Sequence, residues 1–428
     1  MSPINSDPSS NDSSLNRPTT YLLTGTIILA GGSYLLLSIL SRQLSVEEYS
    51  KFAAFWSIVT GIVIGVTSPL ETFAISSTKI VNGKAQVDVA FFIALKKIFV
   101  LGTIALLIVL PFFVPRVFAS EWSYLLAIFA SFYGFMAIYG TRGILVAESR
   151  SRLYASIMSL ETLLRLVLAG TFIWLLSPLG EIASGSFALA AVISGFVSFK
   201  SVQQQVTVTL AKLKRFPNLK SQANYPNKYE FSSILVASVS ALLVLNLGPF
   251  ILQLLSGTGV YTAGFLLNAL TLARIPIFLG PIIQARLIPT TANLFDRNEL
   301  NSIGSLMLTS TKKIVLIGSA STITFMYLGN RLIEVFFGST YVFSEFDLLL
   351  IAMPTTLYLL AVLFQSALIA LHQSRIILKS WSTGVGAYFL ILTTQLDPLI
   401  RVELASAMAL TVVNIMLFMG VKKLITFN

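Results

Sequence analysis

The chain has 428 residues, 55% of them hydrophobic and only 11% charged, and its 29 Lys and Arg against 18 Asp and Glu give a formal net charge of +11. Soluble domains carry about 25% charged residues, so a water-soluble globule could not hide this much apolar surface and is excluded. With no cysteine and one histidine, disulfide frameworks, thiol chemistry and Cys-ligated zinc are excluded too, and the basic excess is read first as a membrane-topology signal rather than as an affinity for nucleic acid.

Residues 1–19 are polar, rich in Ser, Asn, Asp and Pro, and lack the basic start and small-residue cleavage site of a signal peptide. They are expected to form a disordered cytoplasmic tail. A hydrocarbon core about 30 Å thick takes roughly 20 apolar residues per helix. Such stretches recur near 20–41, 52–75, 97–115, 122–141, 154–178, 182–202, 231–255, 261–285, 312–330, 346–371, 376–395 and 403–421. Their length and near-continuous apolarity exclude alternating barrel strands and amphipathic soluble helices. The fold class is an all-α polytopic membrane protein of about twelve transmembrane helices.

The basic residues sort by side. With the N-terminus inside, Lys79, Lys84, Lys96, Lys97, Arg142, Arg150, Arg152 and the cluster Lys212, Lys214, Arg215 and Lys220 fall on one side. The outer segments keep Arg42, Lys51, Arg116, Arg331 and Arg401, with acidic residues nearby. This asymmetry implies an even number of spans and both termini in the cytoplasm. The interval 203–230, with Gln203, Gln204, Gln205, Pro217 and Pro226, reads as a basic cytoplasmic linker between halves at 20–202 and 231–428; an ordinary long loop is the alternative. A weak echo supports the halves, since aligning Tyr49 with Tyr261 places Ser50 on Thr262, and duplicated halves are a common route to alternating access.

The segment ARIPIFLGPIIQARLIPTTANLF (273–295), after YTAGFLLNALTL, resembles the eighth-helix region of the Wzx-like polysaccharide biosynthesis proteins. These belong to the multidrug/oligosaccharidyl-lipid/polysaccharide (MOP) exporter superfamily. RQLSVEEYSKFA (42–53) is similar to the first outer loop of that group, and NLGPFILQLL (246–255) fits its seventh span. The resemblance implies two six-helix bundles around a central cavity in a bacterial plasma membrane. It implies a flippase for an undecaprenyl-pyrophosphate-linked oligosaccharide, serving polysaccharide assembly alongside other assembly proteins. Fold analogy does not settle function, because the same superfamily exports drugs and lipid II.

Charge inside a bilayer is the most informative feature, since Arg or Asp at a helix centre costs about 2.5–3.5 kcal/mol on the insertion scale. Glu161 and Arg165 in the fifth span and Arg274 in the eighth stand out. In the functional reading, Arg165 and Arg274 line a hydrated cavity and meet pyrophosphate oxygens, which suit guanidinium donors, while Glu161 offsets their charge in the empty cavity. In the structural reading, Glu161 and Arg165 are a self-contained i, i+4 ion pair. Arg42, at the outer end of the first span, resembles a basic position near the cavity mouth of relatives, or is an interfacial snorkelling arginine. Glu71 is a coupling-cation candidate or a carboxylate facing headgroups. Pro276, Pro281 and Pro289 would kink the eighth span, either for gating or as static bends. The i, i+4 pair Gly61 and Gly65 is the clearest mark of close helix packing.

Chemistry is thinly represented. His372 reads as an interfacial residue, and no Gly-rich phosphate loop with its Lys appears. The chain is therefore expected not to be an enzyme and to use no cofactor and no metal. Its expected partners are the lipid-linked glycan and membrane lipid, with no nucleic acid. Trp56, Trp122 and Trp381 fall at span edges, as interfacial anchors would. Three other functions compete. A polymerase or glycosyltransferase would need a larger outer loop than 331–347 offers, a small-molecule exporter belongs to the same superfamily, and a scaffold in glycan assembly leaves no sequence mark.

Overall fold

In lipid every backbone polar group must find its partner within the protein, and helices do this segment by segment. The computed structural model, described over residues 12–81, 84–215, 228–256, 262–338 and 341–426, follows that rule. The first pass, α1 (Asp12–Gln43), is already helical over the last residues of the expected tail. The second is a stack of α2 (Val46–Ile58), a π-helical turn, α3 (Ile64–Thr67) and α4 (Pro69–Ser77). Ser45 caps α2, its hydroxyl accepting from the Glu48 N–H. A short hairpin, β1 (Thr78–Val81) and β2 (Lys84–Val87), joins α4 to the third pass with Thr78 opposite Val87. That pass is α5 (Val89–Val109), which breaks at Pro111 into a 3-10 turn and α6 (Val114–Val117).

The next passes are α7 (Ser123–Ala147), α8 (Ser151–Leu175) and α9 (Gly180–Arg215). Residues 203–215, expected as linker, continue α9 because no Gly or Pro interrupts them; the remaining linker residues 216–227 lie outside the described ones, as does Tyr261. The seventh pass is α10 (Lys228–Asn246) and α11 (Gly248–Ser256), bent by 55° at Leu247. The eighth is α12 (Thr262–Ala273), a 3-10 turn at Ile275–Leu279 and α13 (Gly280–Asp296). Then follow α14 (Leu300–Phe337), α15 (Glu345–Ala370), α16 (Ser374–Leu392) and α17 (Pro398–Thr426). Among the described residues nine helices are long and apolar enough to cross a membrane, and the bent pair makes a tenth. The less apolar α14 and α16 pack on α15 and α17 and complete the expected twelve passes.

Close pairings include α7 with α9, α1 with α8 and α4 with α7 early in the chain, and α16 with α17, α14 with α15 and α10 with α16 later. Small residues permit them. A Cβ at Gly134 would sit 2.6 Å from the Ala191 backbone, and one at Gly143 would sit 2.3 Å from the Glu71 carbonyl. Across the middle, Gly61 and Gly65 both face α10, where an added Cβ would lie 3.4 Å from the Leu242 carbonyl and 3.2 Å from the Val239 Cα. At one end, the core of the early helices runs on without a gap into Leu247, Phe250, Leu266, Leu270, Ile351 and Val402. There Phe113 meets Phe250 edge-on at 5.5 Å. A second core fills α10 and α13–α17 toward the other end. The molecule is thus sealed at one end, which carries the start of α2 and the end of α14.

Trp56 and Trp381 are not interfacial. Trp56 packs on Phe52 and Phe187, Trp381 is fully buried, and only Trp122 of the three is exposed. Both sit inside because an apolar helix edge in sequence is here a protein-facing surface in space.

Candidate transport cavity and its sealed end

Away from the sealed end lies a cavity of about 690 Å³, within the range of small-molecule sites. Its walls take Thr72 from α4, Ser238 from α10, Gln284 from α13, Tyr358 and Gln365 from α15, and Trp381 from α16. The Trp381 indole N–H donates to Gln365 Oε1 at 2.6 Å and fixes both. His372, in the turn between α15 and α16 with φ 55°, also lines it. No Asp or Glu is among the lining residues. Ile234, Leu242, Ile288, Val362 and Ile377 make much of the rest apolar, so the surface offers aliphatic area with scattered amides, hydroxyls and rings and no carboxylate.

Along α10 the lining positions end at Leu242, and Asn246 stands one turn deeper. There Arg274 Nη1 donates to Asn246 Oδ1 at 3.0 Å. Arg274 is half-buried and sits at the break between α12 and the 3-10 turn, with φ −94° and ψ 3°. Pro276 opens that turn and Pro281 opens α13, so each proline begins a new segment, where its missing N–H costs least. The eighth span is broken rather than bent. Arg274 owes its place beside Asn246, one turn beyond the cavity's lining on α10, to that break.

Glu161 and Arg165 pair with each other along α8. Both are buried, and the Arg165 guanidinium lies 4.2 Å from the Phe187 ring and 5.6 Å from the Phe135 ring. Arg165 and Arg274 therefore have separate partners and share no contact. Glu71 is committed too. Its Oε2 lies 3.1 Å from Arg142 Nη2, its Oε1 accepts from the Tyr154 hydroxyl at 2.8 Å, and Arg142 is bonded to Tyr154 as well. Arg142 lies between the Tyr139 and Tyr154 rings, at 4.9 and 4.5 Å. The cluster ties α4, α7 and α8 together. Arg142→Ala would leave the Glu71 carboxylate without its cation and should cost about 3 kcal/mol. Thermal unfolding in detergent should show the loss, with much of it restored by adding Glu71→Gln; an unchanged midpoint in the single variant would contradict this.

At the sealed end α1 clasps the last turn of α14. Arg42 Nη2 donates to the Val335 carbonyl at 2.7 Å, Ser41 Oγ to the Phe337 carbonyl at 2.9 Å, and Ser38 Oγ to the Phe336 carbonyl. These are carbonyls a helix end leaves unpaired. Gly338, with φ 66°, ends the helix and returns its N–H to the Glu334 carbonyl at 2.8 Å. Deeper in, the Tyr49 hydroxyl donates to Asn268 Oδ1 at 2.5 Å, Ser50 Oγ accepts from the Gly264 N–H at 3.3 Å, and the Tyr34 hydroxyl donates to the Thr271 carbonyl at 2.8 Å. Lys51 pairs with Glu47, Glu48 and Glu121 at 3.2, 2.8 and 2.6 Å, anchoring the start of α2.

Sequence reasoning missed Glu403. It is 4% exposed, and neither carboxylate oxygen has a hydrogen-bond partner among the described residues. The sequence places the last span at 403–421, so this acid stands on its margin and carries no mark of burial. In the structure α17 begins at Pro398, which carries Glu403 inside.

Among the described residues no group of three or more His, Asp or Glu could hold a metal ion. No protein-family model matches the chain, and no curated protein matches it. Solved structures do. An inward-facing multidrug resistance MATE-family transporter of the MOP superfamily aligns over 95% of this chain and 98% of its own, with TM-score 0.65 and 15% identity. A mutant of a Vibrio cholerae MATE transporter aligns over 97% of both chains, with TM-score 0.59 and 13% identity. An outward-facing MATE-family transporter of the same superfamily aligns over 96% and 95%, with TM-score 0.50 and 14% identity. This chain is a multi-pass membrane protein with the fold of the MOP-superfamily transporters.

Proposed function

We propose that this chain flips a polyprenyl-pyrophosphate-linked oligosaccharide from the cytoplasmic to the outer leaflet of a bacterial plasma membrane by alternating access, for cell-surface polysaccharide assembly. The observation that carries the reading is the cavity, lined by apolar side chains with uncharged amides, hydroxyls and rings among them, with Arg274 held by Asn246 one turn beyond its α10 wall. Glycan hydroxyls exchange hydrogen bonds with Gln284, Gln365, Ser238 and Thr72, and sugar faces lie against Tyr358. The guanidinium of Arg274 suits pyrophosphate oxygens. Arg42 holds the outer end shut instead of binding cargo, and the Glu161–Arg165 and Glu71–Arg142 pairs hold the early helices together.

The open end is assigned to the cytoplasm. The higher similarity to the inward-facing neighbour than to the outward-facing one supports this, as does the basic bias of that side. Both termini then lie in the cytoplasm. A second reading, export of small molecules, is favoured by the multidrug resistance role of two of these neighbours; a cavity without acidic lining residues gives cationic cargo no counter-charge. Deleting the gene should remove the surface glycan and leave tolerance to cationic dyes unchanged. Loss of dye tolerance with the glycan intact would favour the exporter.

A further inference from the structure

Beneath the sealed end, α10, α11, α12, α15 and α17 enclose a pocket of about 10 Å³, enough for about one water. Its wall is apolar except for Arg274, Ser406 and Glu403. The neighbours do not answer the Glu403 carboxylate. Arg274 donates to Asn246, and the Ser406 hydroxyl donates to the Val244 carbonyl at 3.0 Å. On its own helix Arg401 turns back to the Leu396 carbonyl at 2.5 Å. Asp347 on α15 and Asp397 before α17 add negative charge, Tyr341 is acted on by all three carboxylates, and Tyr388 on α16 lies toward Arg274. A bare carboxylate in such a place is costly, and because Arg274 on the same wall is turned to Asn246 rather than to it, a bound cation or proton must neutralise it. A metal cation wants about six oxygens, which this wall does not supply, and the guanidinium on the wall opposes it. A proton needs only the carboxylate.

We infer that Glu403 binds a proton from the outer solution and that this binding permits the sealed end to close. When the end is open, water reaches the carboxylate and a hydronium ion transfers its proton to one carboxylate oxygen, leaving water behind. The neutral acid can then be enclosed by Leu266, Leu270, Ile351 and Val402, which join the sealed core. Reopening returns the proton to water. The site thus ties closure to outside acidity and supplies a return step for a cargo carrier. It rests on the alternating-access part of the proposed function and not on the cargo.

The test contains no cargo. The chain has no cysteine, so Trp122→Cys and Val342→Cys, two exposed positions at the sealed end on opposite sides of it, take the only two spin labels. Inter-label distances are measured in purified full-length protein at about pH 5 and about pH 8. With Glu403 intact, the short distance should dominate in acid and a longer population should grow at the higher pH. Glu403→Gln, a neutral isostere, should keep the short distance at both. A distribution that ignores pH with Glu403 intact, or that follows pH equally in Glu403→Gln, would overturn the inference. Restoration of the short distance by Na+ at the higher pH would overturn the proton as the ligand.

Discussion

Arg274→Ala should abolish delivery of the lipid-linked glycan to the outer leaflet while the protein level stays normal. A guanidinium bonded to pyrophosphate oxygens makes charge-assisted hydrogen bonds worth about 1.5–3 kcal/mol each. Loss of one such bond alone corresponds to roughly a 10- to 100-fold drop in transport. Stability should not fall with it. Arg274 has the neutral Asn246 as its hydrogen-bond partner and makes no ion pair among the described residues, so the protein already bears the cost of an unpaired charge, about 2.5–3.5 kcal/mol on the insertion scale. Arg274→Lys keeps the charge without the planar fork and should recover only part of the activity. Flow-cytometric surface-glycan labelling beside an immunoblot separates these outcomes. Arg165→Ala makes the contrast, because it strands the buried Glu161 and should lower the protein level together with transport.

Joining α1 to the end of α14 should stop transport in a way that reductant reverses. In the structure a Cβ at Gly338 would lie 3.3 Å from Arg42 Cγ, the place a cysteine sulfur at 42 would occupy. Arg42→Cys with Gly338→Cys therefore meets the geometry of a disulfide, and both positions are exposed. The cost at Gly338, whose φ is 66°, is about 1–2 kcal/mol for a side chain in the left-handed region. The native chain has no cysteine to compete. If the outer end must part during each cycle, oxidation should remove nearly all delivery, and dithiothreitol should restore it to the level of the never-oxidised variant. Delivery that continues through the cross-link would mean that α1 and α14 need not separate.

The fold was legible because a bilayer demands long apolar helices, and twelve of them stood out despite shifted edges. The edges failed where sequence could not distinguish lipid from protein. Residues 203–215 are polar yet helical, Trp381 stands at an expected span edge yet is internal, and Glu403 stands at the expected edge of the last span yet is buried. Arg274 was legible as a charge without a local acid, and its prolines marked the break that sets it beside Asn246, just beyond the cavity. The rest of the site was not. Pairings such as Glu71 with Arg142, or Arg42 with the α14 carbonyls, join residues 71 and 293 positions apart, and no local spacing foretells them. The cavity walls are ordinary Gln, Ser, Thr and aliphatic residues, given meaning only by the helices that bring them together.

The most direct measurement is delivery of a defined lipid-linked oligosaccharide across vesicles by the purified Arg42→Cys, Gly338→Cys protein, read as glycan made accessible to a lectin on the far leaflet. Delivery after reduction and none after oxidation is the result expected of an alternating-access glycan flippase. No delivery by the reduced protein, while the same vesicles move a cationic dye, would contradict it.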